Sequence, residues 1–193
     1  MAEPSPGGLR AGALVVATPS LTEPSFARTV VLLLQADPDD GALGLVLNRP
    51  SGTGVREVLD GWADLCEEPA AVFLGGPVSP QGAICLGQQQ LGAPPLGAFS
   101  SLENLPALGT VDLDAHPDAI APAVRRLRVF AGYAGWAAGQ LEGEVAEGAW
   151  FVLDALPADA FADEPELLWA RVLRRQGPPL AFAASYPADP TLN

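Results

Sequence analysis

Short, densely apolar blocks separated by Gly, Pro and acidic residues run along this chain, and they predict a succession of strands with helices between them. Leu14 to Val16 reads as a buried strand stopped by Thr18, Pro19 and Ser20. Thr29 to Leu34 is β-branched and apolar on both faces, which marks an interior strand. Leu43 to Leu47 is its antiparallel partner, because the connector QADPDDGALG is rich in turn formers. Asp37, Asp39 and Asp40 in that connector lack calcium-loop spacing and a closing Glu, so they read as a solvated turn.

Helical spacing appears next, with Val55, Val58, Leu59, Trp62 and Leu65 on one face behind Ser51 or Thr53 as N-cap. Ala71 to Leu74 and Ala83 to Leu86 read as strands, with Gly75-Gly76-Pro77-Val78 between them as a hairpin or a close backbone approach. From Gln88 to Thr110 the periodicity is weak, leaving room only for short strands. Val111 to Leu113 is a further strand. Ile120, Val124 and Leu127 then have helical spacing, and Pro122 places that helix's start near Ala121.

The stretch from Arg128 to Glu144 reads as strand, glycine turn and helix in succession. Val129 and Phe130 are β-prone, Gly132 and Gly135 punctuate, and from Trp136 onward Ala137, Leu141 and Val145 share one helical face while Gln140 and Glu144 share another. Trp150 to Leu153 is another strand. Asp163 and Glu166 form an N-cap and N3 pair before a helix through Leu173, which ends with Arg171, Arg174, Arg175 and Gly177-Pro178. Leu180 to Ser185 is read as a final strand, and YPADPTLN as a surface tail.

Composition narrows the partners. Hydrophobic residues are 49% and charged residues 17%, as in a chain with a packed core, and 193 residues suit one domain, here expected over 10–193 behind a loose segment 1–9. Twenty-three acidic against ten basic residues give a net charge of -13, which disfavours phosphate backbones and anionic membranes. All basic residues are Arg, a side chain suited to forked recognition of carboxylate or phosphate. Cys66 and Cys85 lie in apolar surroundings without metal-ligand spacing and read as buried thiols. The first ten residues have no apolar core of a secretory signal, so the expected compartment is the cytoplasm.

The blocks GALVVATPSL, FARTVVLLL, GALGLVLNRP, FLGGPV, RVFAGYAGWAAGQLEGE and GAWFV, with the helix containing Leu168 and Trp169, resemble the YqgE/AlgH family, also catalogued as UPF0301. The match covers nearly the whole chain. The resemblance implies an α+β fold with a mostly antiparallel, branched sheet, partly closed into a barrel and surrounded by helices. It implies little about chemistry, since the family's label of transcriptional regulator rests on genetics around alginate production.

Candidate site residues are the polar groups set at element ends in apolar blocks: Arg28, Asn48, Arg49, Tyr133, Gln140 and Glu142. Two arginines beside an Asn and a Tyr would recognise an anionic or amide-bearing ligand. Trp136 would stack on a ligand ring, and Gly75 and Gly76 would present backbone amides. The structural alternatives are a salt bridge from Arg28 or Arg49 to Glu142 or Glu144, a core Trp136, and a plain turn at Gly75-Gly76. His116 is the only histidine and stands in a polar loop, and no GxSxG, HExxH or CxxC pattern occurs. The expectation is therefore a binding or regulatory protein without cofactor or metal, whose partner is a small anionic ligand or another protein. The alternative is an enzyme in which Arg28 and Arg49 anchor an anionic substrate and Glu142 is acid or base. Direct DNA binding has only the Arg171 to Arg175 cluster in its favour, against the charge balance.

Overall fold

The structure is a computed structural model that describes residues 8–186. The start of the expected loose segment and the tail beyond Tyr186 lie outside the described residues. Ten strands form one sheet: β1 (Ala13–Ala17), β2 (Val30–Asp37), β3 (Gly41–Val46), β4 (Pro50–Gly54), β5 (Ala71–Leu74), β6 (Val78–Gln89), β7 (Phe99–Leu102), β8 (Leu105–Val111), β9 (Val124–Trp136) and β10 (Trp150–Asp154). The main path runs β10-β1-β2-β3-β9-β6-β8-β7, and all its pairings given by register are antiparallel.

β9 is the branch point. Its last residues, Ala134 to Trp136, pair with β3, while Phe130 and Ala131 pair in parallel with β5, which carries β4. Its other edge is taken by β6. The sheet is thus mostly antiparallel and branched, as the resemblance implies, and its path ends at β10 and β7 without a pairing between them among the described residues. The sheet curls enough that Leu105, in the β7–β8 hairpin, packs against Gly12, where an added Cβ would meet the Leu105 Cβ at 2.9 Å.

Both faces of the central strands are buried, which is why their sequence is apolar without alternation. In β1, Leu14 and Val16 join Leu32, Leu45, Phe73, Phe130 and the helix residues Trp169 and Val172 in one core. Ala13 and Val15 face the opposite way, towards Val31, Val46, Trp136, Leu141 and Trp150. A third cluster gathers Val55, Trp62, Cys85, Ile120 and Leu127. The connector after β2 is the expected turn: the Asp37 carboxylate accepts from the backbone N–H groups of Asp39 and Asp40.

Helices are shorter than the spacing predicts. The expected helix over Val55 to Leu65 is two single turns, α1 (Val55–Val58) and α2 (Asp60–Ala63), broken at Leu59 with φ -142. The break swings Trp62 into the core and leaves Val58 56% exposed. Gly54, not Ser51 or Thr53, sits at the N-cap, its N–H held by Glu57. The expected helix from Ala121 to Leu127 is absent: α3 covers Pro117–Ile120 only, and Val124 to Leu127 are strand. Pairing of Val124, Arg126 and Leu127 with Gln89, Gln88 and Gly87 overrides the helical preference of the Ala, Arg and Leu residues here, which Pro122 already interrupts.

The glycine corner also differs from expectation. β9 passes through Gly132 and Gly135 without turning and ends at Trp136; α4 (Gln140–Ala146) begins only after the left-handed Gly139. The helix before the C-terminus, α5 (Leu168–Arg174), is preceded by a 3-10 turn at Pro165–Leu167 rather than by an Asp163 cap. Asp163 and Glu164 instead pair with Arg171. The final segment is a short helix, α6 (Leu180–Ala183), where a strand was expected. Its Ala-rich sequence favours helix, and no neighbouring strand takes up its backbone.

Candidate functional site

The Asn48 side chain continues the β2–β3 ladder one step past its end. Its Oδ1 accepts from Val30 N–H at 3.0 Å, and its Nδ2 donates to the Arg28 carbonyl at 2.9 Å, as a paired peptide group would. That bond secures Arg28 in a left-handed conformation, φ 56, which a side chain with a Cβ adopts only at a cost. The preceding turn is tied by Thr29, whose N–H and Oγ1 both donate to the Phe26 carbonyl.

The strained turn directs Arg28 across the α5 side chain beneath it. The guanidinium carbon lies 4.0 Å from the ring centroid of Trp169, and Nη1 donates to the Tyr186 carbonyl at 2.9 Å. Trp169 is itself fixed, its indole donating to Ala17 O at 2.8 Å. Partial burial lowers the Arg28 pKa from its ordinary value by desolvation. Arg49 comes from the other side of the turn and donates to Ala27 O at 3.2 Å. Neither arginine forms an ion pair among the described residues, a state they share with Arg125, Arg128 and Arg174, whereas Arg10, Arg56, Arg126, Arg171 and Arg175 are paired. Sequence reasoning found Arg28, Asn48 and Arg49; Trp169 and the Tyr186 carbonyl, which hold Arg28, come from far along the chain.

The other candidates make no hydrogen bond to Arg28 or Arg49 among the described residues. Trp136 is buried and stacked on Phe26, and its indole donates to Glu144 Oε2 at 3.0 Å. Trp150 donates to the same oxygen at 2.8 Å, and Gln140 donates to Glu144 Oε1 at 2.9 Å. Glu144 therefore serves two buried indoles and Gln140, and the expected pairing with Arg28 or Arg49 is not made. Trp136 and Gln140 belong to this core network. Glu142 projects from α4, exposed, without an ion pair among the described residues.

Gly75 and Gly76 are a close backbone approach. A Cβ on Gly75 would meet Gly132 O at 2.3 Å, and one on Gly76, with φ 152, would meet the Tyr133 carbonyl carbon at 2.2 Å. The Gly75 N–H is spent on Ala131 O, and its carbonyl accepts from Val46 N–H, so the pair fills the gap between β3 and β5 along β9. Tyr133 packs its ring beside Gly135 and, with Gln35, Asp40, Leu43 and Val78, lines an open cavity of about 350 Å³.

The most buried cation was not singled out from the sequence. Arg128 is 1% exposed, lies over Phe73 with its guanidinium carbon 4.3 Å from the ring centroid, and donates to the carbonyls of Ala160, Ala162 and Glu68. Its Nε has no partner, and burial lowers its pKa to about 10. Three carbonyls from two loops make it a clamp between the β9 strand and the segment after β10. Desolvation raises the Cys66 pKa to about 11 and raises that of the more deeply buried Cys85 as well, so both are neutral thiols at neutral pH. Among the described residues no three His, Cys, Asp or Glu side chains group to hold a metal, and no helix is long and apolar enough to cross a membrane.

The chain as a whole is similar to known proteins. A family model described as AlgH-like matches residues 14–181. A UPF0301 protein of Thermobifida fusca is 52% identical over 188 residues, covering 94% of each chain, and one of Streptomyces coelicolor is 51% identical over 186 residues, again covering 94% of each. The crystal structure of a Corynebacterium diphtheriae protein superposes with a TM-score of 0.88 at 33% identity, over 93% of this chain and 94% of that one. The solution structure of the Pseudomonas aeruginosa AlgH protein gives a TM-score of 0.67 at 31% identity, over 97% and 98%. The chain belongs to the AlgH-like, UPF0301 family.

Proposed function

We propose that this chain is a cytoplasmic binding or regulatory protein, folded as one domain over residues 10–193, that recognises an anionic group through Arg28 and Arg49 and performs no chemistry on it. One observation carries the reading. Arg28, held by Asn48 and Trp169, and Arg49, bonded to Ala27 O, meet at a single strained turn with no carboxylate pairing among the described residues. Strain retained at a charged turn is a feature of sites that recognise something. A forked guanidinium already stacked and partly desolvated loses little entropy when it takes a carboxylate or phosphate. The enzymatic alternative requires Glu142 beside these arginines and partly buried; Glu142 is exposed and pairs with neither, which favours binding without catalysis.

The test is a thermal-shift screen with small anions (inorganic phosphate, nucleotides, mono- and dicarboxylates), run on wild type and Arg49→Ala. A ligand at about a hundred times its Kd adds roughly 2.7 kcal/mol, on the order of 5 to 10 °C for a domain of this size. The expected result is a shift that Arg49→Ala abolishes. A shift of equal size in both proteins would place binding elsewhere, and turnover of the bound anion that depends on Glu142 would establish the enzyme instead.

A further inference from the structure

Beside the Arg28 turn lies an open, largely apolar groove. It has a volume of about 630 Å³ and is walled by Pro19, Phe151, Pro179, Phe182, Ala183 and Tyr186. Helix α6 supplies much of one wall and buries none of its own residues; Phe182 is 66% and Tyr186 60% exposed. Large rings left open on one patch mark surfaces that other molecules cover.

The groove and the arginine turn meet at Tyr186. Arg28 donates to the carbonyl of Tyr186, which is a wall residue, and the Trp169 ring beneath Arg28 donates to Ala17 O, two residues before Pro19. A cation without an ion pair among the described residues therefore stands at the margin of an apolar channel, in a chain whose net charge is -13. That juxtaposition selects the occupant. A small anion would use the arginines and leave the rings in water, and a purely apolar segment would leave the guanidinium without a counter-charge.

Resting on the anion-binding reading above, we propose that the groove docks a peptide segment of a partner protein, in which apolar side chains lie against Phe151 and Phe182 and an adjoining carboxylate is forked by Arg28. Electrostatic complementarity fixes the register, and burial of the rings supplies most of the affinity. The acidic remainder of the surface disfavours segments that carry more than the one carboxylate.

Fluorescence anisotropy with two rhodamine-labelled peptides tests this: Gly-Ser-Gly-Leu-Phe with a free C-terminal carboxylate, and the same peptide as its C-terminal amide. The acid is expected to bind wild type at least about tenfold more tightly than the amide, and Arg28→Met to erase that difference. Phe182→Asp, a change at an exposed position that leaves the fold intact by circular dichroism, is expected to abolish binding of both. Equal binding of acid and amide, no effect of Phe182→Asp, or no binding of either peptide would overturn the proposal. If the peptides fail while phosphate or a small carboxylate gives an Arg49-dependent thermal shift, the anion site stands and only the peptide partner is wrong. Sedimentation showing a dimer that Phe182→Asp dissociates would assign the groove to a second copy and overturn it likewise.

Discussion

Trp136 and Trp150 donate their indole N–H groups to the same oxygen of Glu144, at 3.0 and 2.8 Å, although one tryptophan ends a strand and the other begins the next. The two rings meet edge to face with centroids 5.9 Å apart, and both are buried, so neither N–H has water as a substitute partner. Glu144→Ala should therefore cost about 2–4 kcal/mol, from two orphaned donors. Glu144→Gln, which keeps an acceptor oxygen, should cost less than half of that. Urea unfolding measures both, and equal losses would show that the hydrogen bonds matter less than the volume.

The amide of Asn48 both accepts and donates, and substitutions separate the two roles. Asn48→Asp keeps an acceptor for Val30 N–H and loses the donor to Arg28 O; Asn48→Ala loses both. The expected order of stability is wild type, then Asp, then Ala, with Ala lower by about 1–3 kcal/mol. Affinity for whatever binds Arg28 should fall already in the Asp variant, because the donor secures the left-handed turn.

Glycines in this chain divide sharply by what surrounds them. Gly76→Ala drives a methyl group into the Tyr133 and Ala134 backbone, at 2.2 and 2.3 Å, where two strands cannot separate without losing their pairing. It should destabilise by more than about 3 kcal/mol or prevent folding. Gly143→Ala, inside α4 with open space around it, should stabilise by about 0.5–1 kcal/mol. Thermal melts of the two variants decide this.

Arg128 tests whether a clamp needs its fork. Lys in its place retains the charge but presents one ammonium where Nη1 and Nη2 now reach carbonyls of two different loops. Arg128→Lys should lose about 2–4 kcal/mol. Hydrogen exchange should quicken in both tethered segments, around Glu68 and around Ala160 to Ala162; faster exchange in only one would show that the other is held by packing alone.

The thiols give the chain an alkaline signature. Cys66 has its folded pKa raised to about 11 from an ordinary 9, and burial raises Cys85 further, so the unfolded chain loses thiol protons first as pH increases. The Cys66 contribution to stability is complete below pH 9 and is lost as pH rises through 11, while that of Cys85 goes on falling above it. Melting temperature should fall over that window in wild type and fall less in Cys66→Ala and Cys85→Val. A thiol reagent should leave Cys85 unmodified in the folded protein at neutral pH.

Much of this fold is legible along the chain. Leu14 to Val16, Ala71 to Leu74 and Trp150 to Leu153 are strands in the structure, and Thr29 to Leu34 and Leu43 to Leu47 are strands but for Thr29 and Leu47 at their ends, because residues buried on both faces need continuous apolar sequence and turn formers must separate them. The Arg28, Asn48 and Arg49 group is legible too, as polar residues that have no place in an apolar strand. The segments that mislead are those where local spacing and pairing disagree. Ile120, Val124 and Leu127 share a helical spacing, but the edge of β6 makes Val124 and Leu127 strand. Leu180 to Ser185 resembles a strand, but no edge accepts it.

Which stretches are buried is legible along the chain, since burial is written into apolar content and turn chemistry residue by residue. What each polar side chain does depends on the fold. Hydrogen bonds and ion pairs act over about 3 Å, and their partners here lie as far apart as Arg28 and Tyr186, separated by 158 positions. It took the fold to give Glu144 to the tryptophans, Arg128 to three carbonyls, and to leave Arg28 at the rim of an apolar groove.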